Sequence, residues 1–292
     1  MKMGYLKISA ALWVLACLPA LAGQAVDESW DLNADASVSI ENVAGKIEVD
    51  GWDQNKARLT GRLGDSVDEL EIEATDSSLK ISVDNRRSRN VDSTELRLMV
   101  PRGASVNASG VSADINVSGL INEKLTANSV SGDVTVDIES ARVSIESVSG
   151  DVEFRGRTER ISAESVSGDI DLSGIAGEIS ATTVSGDMDL QAGLIDNGKL
   201  ETVSGDLTFM GELKGNARLT AESMSGDVEI YLPAAQSGLF KAESFSGRIH
   251  SDFGTVDQSK YGPGSHLKYT AGDGGAEIRV ESFSGNITLK SR

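Results

Sequence analysis

The sequence lacks most of what builds a disulfide scaffold, a broad globular core or a nucleic-acid surface. Its single cysteine, Cys17, lies near the start, so the rest of the chain can close no disulfide in any compartment. Aromatic residues are only 4%, which excludes a wide core built on large rings. Proline is scarce. Pro101, Pro233 and Pro263 fall at the ends of apolar runs or in a Gly-rich loop, where a missing N–H does least harm. Basic residues are outnumbered 27 to 45, for a formal net charge of -18. Such acidity argues against a nucleic-acid partner, because phosphate binding needs basic side chains. It argues equally against simple electrostatic docking to anionic lipid. It suits an exposed β protein that must stay soluble and apart from its neighbours.

The one long apolar run is at the beginning. Lys2 and Lys7 precede Ile8 to Leu21, and Ala20-Leu21-Ala22 supplies a small-x-small processing pattern. The run is short for a membrane span, which needs about 20 residues. Residues 1–22 are therefore expected to be a signal peptide cleaved after Ala22, with Ala25 as a second site. A lipoprotein would need cleavage just before Cys17, but Leu15 stands where a smaller residue is usual and the apolar run continues past the cysteine. Loss of Lys2 and Lys7 with the leader takes the net charge from -18 to -20. The expected product is exported, to the periplasm or the cell surface, with no transmembrane anchor after cleavage.

What is present is a repeat. A Val-Ser-Gly-Asp corner places glycines at Gly132, Gly150, Gly168, Gly186, Gly205, Gly226, Gly247 and Gly285, about eighteen residues apart until a final gap of 38. Degenerate copies occur at Val111-Ser112-Ala113-Asp114 and Val43-Ala44-Gly45-Lys46. Between corners the apolar residues alternate: Val143, Ile145 and Ser147 with Ser144 and Glu146, then Val152 and Phe154 with Asp151 and Glu153. Period-two alternation over five or six residues is a half-buried strand. No later segment has a convincing period of 3.6, so almost no helix is expected. Constant repeat length is what coil closure demands. An antiparallel meander would instead close each Ser-Gly as a hairpin, a weaker turn than Asn-Gly, and would need a second layer.

The expected fold is therefore all-β: a β-solenoid, or parallel β-helix-like stack of about 18-residue coils. Residues 23–103 form an N-terminal β cap region, and residues 104–292 the regular solenoid with a loop insertion near 254–275. The corner glycines are expected to serve positive φ and close approach of stacked neighbours, and the corner aspartates to bond turn backbone. Met224, Phe245 and Phe283 replace the corner valine toward the C-terminus, and are expected to plug the open end of the interior. The insertion carries Tyr261, His266 and Tyr269, candidates for a binding loop.

These residues resemble the bacterial “putative adhesin” β-strand-repeat family, a domain family of unknown function. The matching stretches are NVAGKIEVDGWD at Asn42–Asp53, LMVPRGAS at Leu98–Ser105, the SVSGDV units, and GDGGAEIRVESFSGNITL at Gly272–Leu289. The resemblance implies an extracytoplasmic, solenoid-like β domain with no established enzyme activity and no catalytic residues to carry over.

Chemistry adds little to that. Stacked coils would align Glu146, Glu164, Glu201, Glu222, Glu243 and Glu281 in one ladder, and Asp133 through Asp227 in another. Carboxylates about 5 Å apart repel by roughly 0.8 kcal/mol in water, and a hydrogen bond from each Asp offsets about 1 kcal/mol. No cation is required, and the Gly-rich nonapeptide of calcium β-rolls is missing. Glycosidase chemistry needs one carboxylate pair in distinct environments, whereas these are equivalent coil by coil. His250 and His266 sit in no defensible catalytic arrangement. No catalytic residue, cofactor or metal site is assigned, and a polysaccharide-active β-helix enzyme is the weakest reading. Two non-enzymatic readings lead: an adhesin-like envelope scaffold binding an envelope protein or glycan, and a periplasmic accessory protein of an envelope signalling or stress response.

Overall fold

The computed structural model describes residues 14–19, 24–84, 92–258 and 264–292, and the regular structure among them is strand throughout. No helix among the described residues is long and apolar enough to cross a membrane. The processing site at Ala22 and the candidate Tyr261 lie outside the described residues.

Val134–Ser147, Val152–Ser165, Ile170–Ser185, Met188–Ser204 and Leu207–Ser225 follow one another, each pairing in parallel with the next. Parallel neighbours need a crossover of a dozen or more residues, yet only a few residues separate these strands. Each long strand is itself the crossover. It bends midway, so its halves lie on opposite faces of a flattened coil. In Val152–Ser165 the inward residues are Val152, Phe154, Thr158, Ile161, Ala163 and Ser165. Stacked inward positions form one continuous core, mostly Val, Ile, Leu and Ala, with Phe154, Phe209 and Phe240 the largest fully buried side chains. The narrow interior explains the shortage of aromatics.

The repeat begins before the regular spacing does. Ser37–Trp52 stacks in parallel on Ser105–Ser129, with Gly45 opposite Ala113 and Ile47 opposite Ile115, so both degenerate copies are coils in register. On its other side Ser37–Trp52 carries Ser78–Asp84 and Thr94–Pro101 in parallel. Beyond these the pairing turns antiparallel, with Glu69–Thr75 on one face and Lys56–Arg62 then Ala25–Asp31 on the other. Val14–Pro19 runs antiparallel along Glu69–Thr75.

At the other end, chain order and spatial order part company. The two halves of the last coil, Ala276–Ser282 and Ile287–Ser291, pair on one side with Leu207–Ser225 and Val228–Leu232. On the other side they pair with Gly238–Ser244 and Ile249–Ser251. The Gly285 coil is thus interposed between the Gly226 and Gly247 coils. Part of the expected loop insertion is sheet: Ser265–Ala271 runs antiparallel on the outer edge of Gly238–Ser244.

The corner glycines owe their identity to the stack, not to dihedral angle. Among the eight, only Gly205 has a positive φ, 152°, contrary to expectation. Positive φ occurs at the opposite bend, as at Gly156 (134°) and Gly174 (85°). At the corner, a Cβ on Gly168 would overlap the carbonyl oxygen of Gly150, and one on Gly150 that of Gly132. The same overlap recurs in spatial order from Gly132 up to Gly226, then Gly285 on Gly226 and Gly247 on Gly285. Gly168→Ala is therefore expected to lower stability by more than about 2 kcal/mol. Gly215→Ala, where a Cβ meets nothing within 4 Å, should stay within about 0.5 kcal/mol. Urea melts of the two variants check this, and equal midpoints would refute the close-contact account.

Candidate functional site

Five of the eight corners turn on a buried hydroxyl that accepts the glycine N–H. Ser147 points inward, and its Oγ accepts the Gly150 N–H at 3.0 Å; Ser129, Ser165, Ser244 and Ser282 do the same for Gly132, Gly168, Gly247 and Gly285. Three residues closed by a side-chain acceptor make a tight bend. In the coil of Gly205 the equivalent Thr202 Oγ1 is buried without a partner, and Gly205 N–H goes to the Ser225 carbonyl at 3.3 Å.

Contrary to the expectation that they bond the backbone of their own turn, the aspartates act between coils. Asp133 Oδ1 accepts the Asp151 N–H at 3.0 Å, Asp151 that of Asp169 at 2.9 Å, and Asp169 that of Asp187 at 2.8 Å. The chain of bonds continues through Asp206 and Asp227, then to Asn286 and from Asn286 Oδ1 to the Arg248 N–H. Every link joins one exposed carboxylate, or the Asn286 amide, to the backbone of the next coil.

Parity along the strand decides where the corner valine goes. With Ile145 and Ser147 inward, Glu146 and Val148 point outward. Val111, Val130, Val148, Val166, Val184, Val203, Met224, Phe283 and Phe245 are accordingly 43–59% exposed. This corrects the expectation that Met224, Phe245 and Phe283 plug the interior: they lie outside it. Phe245 and Phe283 stack on each other, centroids 4.9 Å apart and planes 6° from parallel. The interposed last coil places Phe283 between Met224 and Phe245.

Two residues earlier stands the acidic row. In spatial order it reads Asn128, Glu146, Glu164, Thr182, Glu201, Glu222, Glu281, Glu243 and His266. Toward the C-terminal end the two rows form the walls of an open groove of about 890 Å³, with the buried Ser/Thr row at its floor. Its apolar wall is Val184, Val203, Met224, Phe283 and Phe245; its acidic wall is Glu201, Glu222, Glu281 and Glu243. A smaller groove of about 510 Å³ continues along Val130, Val148 and Val166.

No lysine or arginine lines the larger groove. Two reach its acidic wall from their own strands: Lys199 bonds Glu201 at 2.8 Å, and Arg279 bonds Glu281 at 2.5 Å. The bond to Glu201 holds the Lys199 ammonium above its usual range. Glu222 and Glu243 have no ion pair of this kind. Among the described residues no group of three or more His, Cys, Asp or Glu is placed to hold a metal.

The two described candidate loop residues, His266 and Tyr269, are not brought together. His266 is exposed, lies opposite Glu243 in register and at the groove's end, and sits 3.8 Å from Asp257. Tyr269 lies 6.4 Å from the Phe240 ring and packs on Gly254, away from the groove. The residues that sequence reasoning missed are the apolar corner positions themselves. The signal was in their parity: counting outward from Ile145 puts Val148 on the surface.

The fold is a stack of parallel coils carrying a long surface groove, with equivalent carboxylates in most of its coils. The chain belongs to the Toastrack domain family (Toastrack DUF4097), whose profile matches residues 29–290. The function of that family is unknown. No curated protein matches the sequence. Among solved structures it is similar to a Bacteroides fragilis protein described as a “putative adhesin”. The identity is 14%, 91% of this chain and 97% of that chain are covered, and the TM-score is 0.50. It is also similar to a Parabacteroides distasonis “putative lipid binding protein”, at 14% identity, 92% and 99% coverage and TM-score 0.45. Likeness at this identity establishes the fold alone.

Asn286 does the aspartate's task in its own coil, so Asp169→Asn should change stability by less than about 0.5 kcal/mol. Asp169→Ala leaves the Asp187 N–H without its protein acceptor and should cost about 1 kcal/mol. Denaturant midpoints of the two variants read the difference. An Asn variant as weak as the Ala variant would mean the charge matters beyond the bond.

Proposed function

We infer that this protein is an exported, non-catalytic scaffold of the cell envelope, adhesin-like in use, that binds its target along the corner groove. One observation carries the reading: an unbroken row of nine outward apolar side chains that folding does not bury. Single exposed hydrophobics are ordinary, but a contiguous row rimmed by polar residues marks an interaction surface. Burying each such side chain on a partner would contribute about 1.5–3 kcal/mol at most. The carboxylates beside it repeat in near-equivalent surroundings, which suits binding and not acid–base catalysis. The leader-like residues 1–22 support export, and the family resemblance supports an envelope setting.

A photocrosslinking residue at position 203, inside the groove, tests this in intact cells. It should give a discrete adduct with an envelope component that disappears in Phe245→Ser/Phe283→Ser. The same probe at Glu159, exposed near the opposite bend, should not. Identical adducts from both sites, or none from either, would overturn the reading.

A further inference from the structure

We propose that the occupant of this groove is a basic amphipathic helix, presented by a protein or peptide partner; this rests on the groove being the binding surface. The first argument is charge. The larger groove sets four carboxylates opposite five apolar side chains, and no lysine or arginine is among its lining residues. The complementary ligand therefore has one cationic row and one apolar row running side by side.

Spacing then selects the ligand's backbone. Successive coils advance about 4.8 Å, so five coils carry each wall forward by about 19 Å. An α-helix repeats its rows every 5.4 Å, reaching about 22 Å in four turns. A drift of about 2–3 Å is within the reach of Lys, Arg, Leu or Met side chains. An extended strand returns to the same face every 6.6 Å or so and reaches about 26 Å in four steps. It would slip by more than a coil and set its cations between carboxylates. Helix-in-groove recognition is an established mode for such surfaces.

The two walls differ in how firmly they are held. Phe245 and Phe283 stack on each other and Met224 stands in the adjoining coil, forming a fixed apolar anchor at the C-terminal end. Lys199 and Arg279 make their ion pairs with Glu201 and Glu281, and Glu222 feels Lys199 only at longer range, so Glu222 and Glu243 are the carboxylates open to an incoming cation. Binding thus has an apolar part that salt leaves alone and an ionic part that salt screens.

The test is fluorescence anisotropy with an 18-residue, labelled Leu/Lys peptide patterned as an amphipathic helix, added to the full protein. Its controls are a scrambled peptide of equal composition and a Lys→Glu version. The helical peptide should bind at least tenfold more tightly than either control, and more weakly as salt rises. Phe245→Ser/Phe283→Ser should weaken it about tenfold, and so should Glu222→Lys/Glu243→Lys. All four positions are outward, so the variants should stay folded; the melting midpoint is measured alongside, with a small drop expected where the Phe245–Phe283 stack is lost. Equal binding of the scrambled peptide, or indifference to both wall variants, would overturn the proposal. So would Phe283-dependent self-association, or Phe283-dependent capture of neutral lipid vesicles in place of the peptide. If the peptide fails while the crosslink at position 203 remains Phe283-dependent, the groove reading stands and only the ligand class falls.

Discussion

The structure depends on how closely one coil can approach the next at its corner. There the carbonyl of one glycine fills the space where the next coil's Cβ would be. Only glycine allows that contact, and only that contact brings the following aspartate's N–H onto the carboxylate below. Close packing and hydrogen bonding are therefore one device. The buried Ser hydroxyl completes it by taking the glycine N–H, which the bend has removed from the ladder. A side chain at the glycine would open the stack and break three interactions together.

Because every corner offers the same surfaces above and below, the device is blind to chain order. The coil of Gly285 matches the coil of Gly226 beneath it and that of Gly247 above it as well as any sequential neighbour would. Asp227 accepts from Asn286, and Asn286 from Arg248, in unbroken continuation. A rod built from sequential contacts alone would have placed Phe245 over Met224. Interposition puts Phe283 between them, stacked on Phe245 from the side that faces Met224.

The same geometry produces the surface. Inward residues alternate with outward ones, so a fixed corner sequence must write two fixed rows on the outside, one apolar and one mostly acidic. The interior needs neither. The acidic row is tolerable because exposed carboxylates a coil apart repel only weakly in water, and two of them are paired with bases on their own strands. The apolar row has no such explanation within the fold, and it is the surface on which the proposed binding rests.

Much of this was legible in the residues themselves. Spacing and alternation determine a β-solenoid of short coils, the scarcity of rings determines a thin aliphatic interior, and the recurring glycine marks the joint. These are local properties: a strand's parity and a bend's requirement are written within one repeat. Tertiary structure alone decided the rest. Which glycine lies over which cannot be read from copies that are chemically alike, so the interposed last coil was invisible. The reason for the glycine, a neighbour's carbonyl and not its own φ, is a contact between coils. So is the aspartate's bond, formed some eighteen residues away. The outward valines and phenylalanines were countable by parity, yet they became a groove only when stacking aligned them beside the glutamates.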